Sequence, residues 1–375
     1  MVVLTGMRRT GKTTLLKMVF DTVKSENKIF LDLDNIIDQK LFDEDDFNLI
    51  WKNLKPLGIS TDEKAYVFID EIQSKPEITK VLKYLYDHFD VKFFLSGSSS
   101  FYLKNLFPES LSGQKVIFEL FPLDFEEYLI FKEKKVKFSK SFIEKENSRN
   151  YFAFEKYKND YEEFLLYGGF PQVVLEKDEN QKKRILKDIF SAYFEKDVKS
   201  MTDLKQLNIL RDFILLLFQR IGSKLDISKL ASALNISRPT VYSYLSFLEQ
   251  TYFISLITPY SKSVDREISG TRKVYACDTG FVNLFARVDQ GNLLENAVFN
   301  CIRHFGNVNY YQKRTGTEID FVLPEISTAL EVKTKADQRD IIKLKSLSEK
   351  LEHKESYIIS KEFVDFKNVI STVDL

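Results

Sequence analysis

The segment Gly6-Met7-Arg8-Arg9-Thr10-Gly11-Lys12-Thr13-Thr14 constrains this 375-residue chain more than any other. It fits G-x4-G-K-[ST] and lies between an apolar run, Val2-Val3-Leu4, and a helical stretch, Leu15 to Val23. Strand, glycine-bearing turn and helix in that order commit the N-terminal part to an α/β fold with a parallel sheet. The glycines let the backbone curl until its N–H groups converge on phosphate oxygens, and the following helix adds its positive end. Gly6, Arg9, Thr10, Gly11, Lys12, Thr13 and Thr14 are therefore the expected nucleotide-binding residues. Lys12 is expected on the β- and γ-phosphates of ATP, and Thr13 on Mg²⁺.

Further apolar runs follow at Ile29-Phe30-Leu31, Tyr66-Val67-Phe68-Ile69, Phe93-Phe94-Leu95 and Val116-Ile117-Phe118. They do not alternate, as suits parallel strands buried on both faces. The third run of the chain ends in Asp70-Glu71. Asp70 is the expected second Mg²⁺ residue, and Glu71 the base that orients and deprotonates an attacking water. The fourth ends in Ser96-Gly97-Ser98, and Ser98 is expected near the γ-phosphate or that water. Asp32 and Asp34 end the second run and read as a solvated strand end.

The 55 Lys+Arg balance 55 Asp+Glu, which excludes a polybasic coat and an acidic disordered chain. Two Cys and three scattered His speak against a disulfide scaffold, a multi-Cys zinc site and a His-based metal site. No apolar run approaches a membrane span, and the N-terminus lacks the pattern of a signal peptide. A cytoplasmic protein without membrane contact is expected. The pattern divides into a P-loop core over residues 1–125, a helical lid over 126–220, a winged helix-turn-helix over 221–285 and an α/β domain over 286–375.

Residues 221–275 hold seven Lys/Arg against four Asp/Glu, a net of +3 in a neutral chain. Leu230, Ala233 and Leu234 read as the apolar face of a first helix, Asn235-Ile236-Ser237 as the turn, and Val241, Leu245 and Leu248 as the face of a second. Phe253 to Ile257 and Lys273 to Ala276 can form the wing strands. If this unit reads DNA, Arg238, Thr240, Tyr242 and Ser243 are the residues at the groove. The alternative is a unit that packs between domains, since the second helix has one basic residue.

Toward the C-terminus, charges fall inside apolar strands. Asp320 lies amid Ile319, Phe321 and Val322, and Glu331 between Leu330 and Val332. Glu331 and Lys333, at i and i+2, leave one face of a strand, and Asp320 on the neighbouring strand can reach that face. Two carboxylates and a lysine so placed suit Mg²⁺- or Mn²⁺-assisted phosphodiester cleavage.

Taken in order, the phosphate loop, Asp70-Glu71-Ile72-Gln73, Ser96-Gly97-Ser98, Phe121 to Tyr128, Gly168-Gly169-Phe170-Pro171, Lys273 to Gly280, Glu295-Asn296, Glu318 to Phe321 and Glu331-Val332-Lys333 point to a family. The chain resembles the prokaryotic, largely archaeal, AAA-like P-loop ATPases with a C-terminal domain of unknown function. That resemblance implies an ATPase core, a helical lid, a winged helix and a C-terminal domain similar to the PD-(D/E)xK nuclease fold. By resemblance, Glu295, Asp320, Glu331 and Lys333 take the nuclease-type positions, with Glu295, Asp320 and Glu331 on the metal. DNA is the implied partner, and a homo-oligomer is a further implication. Two features depart from the family. The chain starts within the phosphate-loop strand, where relatives carry residues that help cover adenine. Gly113-Gln114 stands where relatives have Gly-Arg, so an arginine finger in trans is not expected from this position. The alternative reading is an ATP-driven switch whose C-terminal domain binds without cleaving, or signals without DNA.

Overall fold

A computed structural model of the chain describes residues 1–98, 115–136, 139–198, 204–313 and 316–375. It divides into two compact units. The first is Met1–Phe121 with Gln250–Tyr252, and the second is Pro122–Glu249 with Phe253–Leu375.

All five N-terminal apolar runs are strands of one parallel sheet in the first unit. They are β1 (Val2–Thr5), β2 (Lys28–Asp32), β3 (Ala65–Asp70), β4 (Val91–Gly97) and β5 (Val116–Glu119). Their order is β2-β3-β4-β1-β5, each neighbour pair parallel. Strand β4 thus lies between β1 and β3, and the C-terminal ends of all three share one edge. The core holds Val3, Val67, Ile69, Phe93 and Leu95, covered on one side by the helix Ile78–His88. That helix buries Ile78, Val81, Leu82 and Leu85, the i, i+3, i+4, i+7 spacing of an apolar stripe. The expectation of two-sided burial fails at β5. Val116 and Phe118 are each 56% exposed, because this strand ends the sheet and pairs only with β1.

The second unit begins with helices and ends with a sheet. Two short helices, Ile227–Leu234 and Arg238–Gln250, meet at a turn in which Asn235 takes a left-handed φ of 52°. An antiparallel ribbon follows, β6 (Ile254–Ile257) with β7 (Lys273–Ala276). Ala231, not Ala233, joins Leu230 in the buried face of the first of these helices. The C-terminal sheet has order β12-β11-β10-β9-β8. Its strands are β8 (Asn309–Gln312), β9 (Glu318–Leu323), β10 (Thr328–Lys333), β11 (Glu355–Ser360) and β12 (Val369–Ser371). The first three run antiparallel, and β10, β11 and β12 run parallel. The helix Gln290–Ile302 precedes this sheet in the chain and ends in a tighter turn through Phe305.

Part of the helical region shares a core with the C-terminal sheet. Phe125, Tyr128, Tyr161 and Phe164 share one apolar cluster with Tyr275, Phe299, Phe321 and Tyr357. Aromatic side chains on the helix Tyr151–Tyr167 reach the C-terminal sheet and merge the two. That helix stops at Gly168, whose φ of 75° favours glycine. A Cβ there would fall on the Asp278 carboxylate, and one at Gly169 on the Leu123 carbonyl.

Candidate functional site

The phosphate loop leaves β1 and enters the helix Lys12–Thr22. Gly6 (φ 148°), Arg9 (φ 66°) and Gly11 (φ 98°) all take positive φ, which curls the loop. A Cβ on Gly6 would strike the Leu120 carbonyl. Thr10 Oγ1 donates to the Met7 carbonyl at 2.9 Å and closes the curl. Gly11 caps the helix without a side-chain bond, leaving the first-turn N–H groups to an outside acceptor. Lys12 is buried, and its Nζ donates to the carbonyls of Gly6 at 2.9 Å and Met7 at 2.8 Å. The ammonium therefore sits inside the loop. Thr13 is half-buried, and Arg9 and Thr14 are exposed at the mouth. A curled donor set with an enclosed ammonium fits a polyphosphate.

Asp70 ends β3 and is 2% exposed. Its Oδ1 accepts from Ser96 Oγ and from the Glu71 N–H at 3.1 Å. A buried carboxylate and the Thr13 hydroxyl are hard oxygen donors of the kind Mg²⁺ takes. Glu71 takes a left-handed φ of 53°, uncommon for a side-chain-bearing residue. Its Oε2 accepts from Ser98 Oγ at 3.2 Å and from Gln73 Nε2, and lies 3.9 Å from Arg8 Nη1. Gln73 also donates to Ser98 Oγ at 2.7 Å and accepts the Ser98 N–H at 3.3 Å. The structure thus brings Glu71 and Ser98 together and adds Arg8 and Gln73. Both additions lie inside quoted motifs, but nothing local in sequence shows that they meet. Asp32 is exposed and Asp34 accepts from Ser74 Oγ at 2.7 Å, as suits a solvated strand end. Gln114 lies outside the described residues.

In the second unit, Arg238, Tyr242 and Ser243 are exposed and Thr240 is half-buried. Ser237 Oγ caps the helix by accepting the Thr240 N–H at 3.2 Å and contacts Thr240 Oγ1 at 2.8 Å. Ser243 Oγ donates to the Pro239 carbonyl at 3.1 Å. Both hydroxyls are engaged in shaping the helix start, leaving Arg238 and Tyr242 as the outward groups.

Asp320, Glu331, Lys333 and Glu295 also converge. Strands β9 and β10 pair with Phe321 opposite Leu330. Asp320 Oδ2 accepts the Val332 N–H at 2.8 Å, and Lys333 Nζ lies 2.9 Å from Glu331 Oε1. Burial, then Glu295 and Glu331, push the Asp320 carboxyl well above its ordinary range. Glu295 is raised too, chiefly by burial. The unexpected member is Lys273 on β7. Its Nζ lies 3.2 Å from Glu295 Oε1 and pairs with Glu318 Oε1. Tyr275 OH donates to the same Glu295 oxygen at 2.6 Å. Burial alone would lower the Lys273 pKa, but Glu295, Asp320 and Glu318 outweigh it and raise it. The signal in sequence was a lysine inside the apolar strand Lys273-Val274-Tyr275-Ala276.

An uncharacterized protein of Methanocaldococcus jannaschii, MJ1544, is 32% identical over 337 residues, 86% of this chain and 71% of that protein. This chain belongs to the same family. An uncharacterized protein of Haemophilus influenzae is 28% identical over 344 residues, 88% of this chain and 81% of its own length. An AAA domain family matches residues 1–129. Two domains of unknown function match further along the chain, DUF8612 over 158–292 and DUF4143 over 290–372. The chain is therefore an AAA-type P-loop ATPase with a DUF4143 domain at its C-terminal side. Its relatives come from an archaeon and from bacteria alike. Among solved structures, Cdc6p of Pyrobaculum aerophilum is similar at 11% identity, covering 75% of this chain and 85% of that one, with a TM-score of 0.28. The sheet order and loop geometry, not that overlap, carry the fold. Among the described residues, no helix is long and apolar enough to cross a membrane.

Proposed function

We propose that the chain hydrolyses ATP at the β1, β3 and β4 strand ends and uses nucleotide state to control what residues 221–375 bind. The observation that carries this reading is the Glu71 carboxylate, held among Arg8, Gln73 and Ser98 on the sheet edge where the phosphate loop starts. Lys12 and the first-turn N–H groups hold the phosphates. Thr13 and Asp70 would hold Mg²⁺, which would supply charge neutralisation at the phosphate oxygens. Ser98 and Gln73 orient Glu71, and Glu71 takes the proton of the attacking water. Single-turnover kinetics test this. Lys12→Ala should lose nucleotide binding, whereas Glu71→Gln should bind ATP and fail to turn it over. Unchanged turnover in Glu71→Gln would sink the assignment of the base.

Residues 221–285 are read as a winged helix-turn-helix, on the strength of two helices joined by a three-residue turn and followed by an antiparallel ribbon. Exposed Arg238 and Tyr242 at the second helix support DNA as a ligand of this segment. The C-terminal domain is read as a binding domain that does not cleave, and Lys273 within its carboxylate cluster supports that choice over a nuclease.

A further inference from the structure

The carboxylates expected to hold Mg²⁺ or Mn²⁺ at the C-terminal side are already occupied from within the chain. Lys273 Nζ lies 3.2 Å from Glu295 Oε1 and also pairs with Glu318. Tyr275, two residues along the same strand and so on the same face, donates to that same Glu295 oxygen. Asp320 is engaged by the Val332 N–H and Glu331 by Lys333. Among the described residues, no group of three or more His, Cys, Asp or Glu side chains is arranged to hold a metal ion.

The geometry of the ion settles which cation suits these oxygens. Mg²⁺ demands ligands at about 2.1 Å in a near-octahedral shell. An ion on Glu295 Oε1 would then lie within about 5 Å of the Lys273 ammonium, inside one shielded cluster. At that distance the ammonium repels a divalent ion and competes with it for the same carboxylate oxygen. Lysine is the resident cation. It is 3% exposed, on a strand, and bound to two carboxylates, so its position is set by the fold. The residues do not fit the metal that the nuclease resemblance implies.

We propose that Lys273 is the built-in cation of this cluster, replacing a divalent metal, and that the cluster ties β7 to β9 and to the helix Gln290–Ile302 instead of cleaving phosphodiesters. The consequence concerns metal chemistry alone and is independent of ATP turnover at Lys12 and Glu71.

The test is Mn²⁺ electron paramagnetic resonance on the full, nucleotide-free chain, with plasmid cleavage in ATP and Mn²⁺ alongside. Wild type should leave the free-ion signal unchanged relative to Asp320→Asn and should leave supercoiled plasmid intact. Lys273→Met removes the cation shared by Glu295 and Glu318 and leaves those carboxylates unpaired by it. It should lose thermal stability, remove Mn²⁺ signal stoichiometrically and regain stability when Mn²⁺ is added. Lys273→Arg should behave as wild type toward Mn²⁺. A wild-type Mn²⁺ site that disappears in Asp320→Asn overturns the proposal. So does plasmid cleavage that Lys333→Ala abolishes, or a folded Lys273→Met that takes up no Mn²⁺. If Lys273→Met does not fold, the wild-type and Asp320→Asn comparison decides alone.

Discussion

The roles of single residues at the nucleotide site separate by what each one touches. Glu71 stands at a strained φ, and such strain persists only where surrounding contacts hold it. Here the holding contacts are Gln73, Ser98 and Arg8. Loss of the base itself, in Glu71→Gln, should lower turnover by about 10²- to 10⁴-fold. Gln73→Ala removes a hydrogen bond to a charged group, which is of order 1.5–3 kcal/mol, so turnover should fall by roughly 10- to 100-fold. Nucleotide affinity should be unchanged, since Gln73 meets Glu71 and Ser98, and not the phosphate loop. Equilibrium binding of a fluorescent ATP analogue beside steady-state kinetics checks the split. A fall in affinity with turnover preserved would place Gln73 in binding. The glycines, Lys12, Asp70 and Glu71 were legible from sequence because local spacing specifies a phosphate loop and a strand end. Arg8 and Gln73 were not, because their contacts exist only once β4 inserts between β1 and β3.

Elements were legible where apolar runs are short and unbroken, and all five N-terminal strands fall where those runs lie. Exposure of β5 was not, since an edge strand and a central one share the same composition. The C-terminal carboxylates announced themselves as charges in apolar strands. Lys273 did not join them on paper, because it arrives from a ribbon far away in sequence. Asp278 shows how one element clasps another. It caps the helix Thr279–Phe285 through the Gly280 N–H at 2.9 Å and holds the Gly169 N–H at 2.7 Å. Burial pushes its carboxyl up to about 6, against the pull of both N–H groups and Arg303. A raised pKa means that the folded state favours the protonated acid. The stability this confers is full below the unfolded value of 3.8 and is lost as pH rises through about 6. Asn cannot ionise, so Asp278→Asn should gain on wild type over that window. The gain is on the order of 3 kcal/mol at about 1.4 kcal/mol per pH unit, and it should level off above it. Denaturant melts of both proteins from pH 4 to 7.5 measure the difference. A difference that does not vary with pH would show that Asp278 is not buried as a neutral acid.

At the scale of the whole molecule, charge sets how strongly the chain can hold nucleic acid. Net charge is zero, so any DNA affinity must come from a local face. The basic excess over residues 221–275 is the candidate, but the structure engages much of it. Lys273 lies in the carboxylate cluster, Lys229 pairs with Asp226, Lys262 with Glu352 and Arg272 with Glu249. Lys224 donates to the Gln312 side chain. Exposed pairs of this kind are weak, yet each one lost costs part of the phosphate attraction it would replace. Arg238 then stands out as the exposed cation at the start of the second helix. Neutralising one or two phosphates gives a slope of log affinity against log salt no steeper than about −2. Titration of duplex DNA by fluorescence anisotropy between low and physiological salt should return that shallow slope, with Arg238→Ala flattening it by about one. A steep slope that Arg238→Ala leaves untouched would move the DNA contact off this segment. The same titration with ATP bound to Glu71→Gln asks whether nucleotide state reaches residues 221–375 at all. A switch requires different DNA affinities with and without ATP, because a ligand that favours neither state shifts nothing.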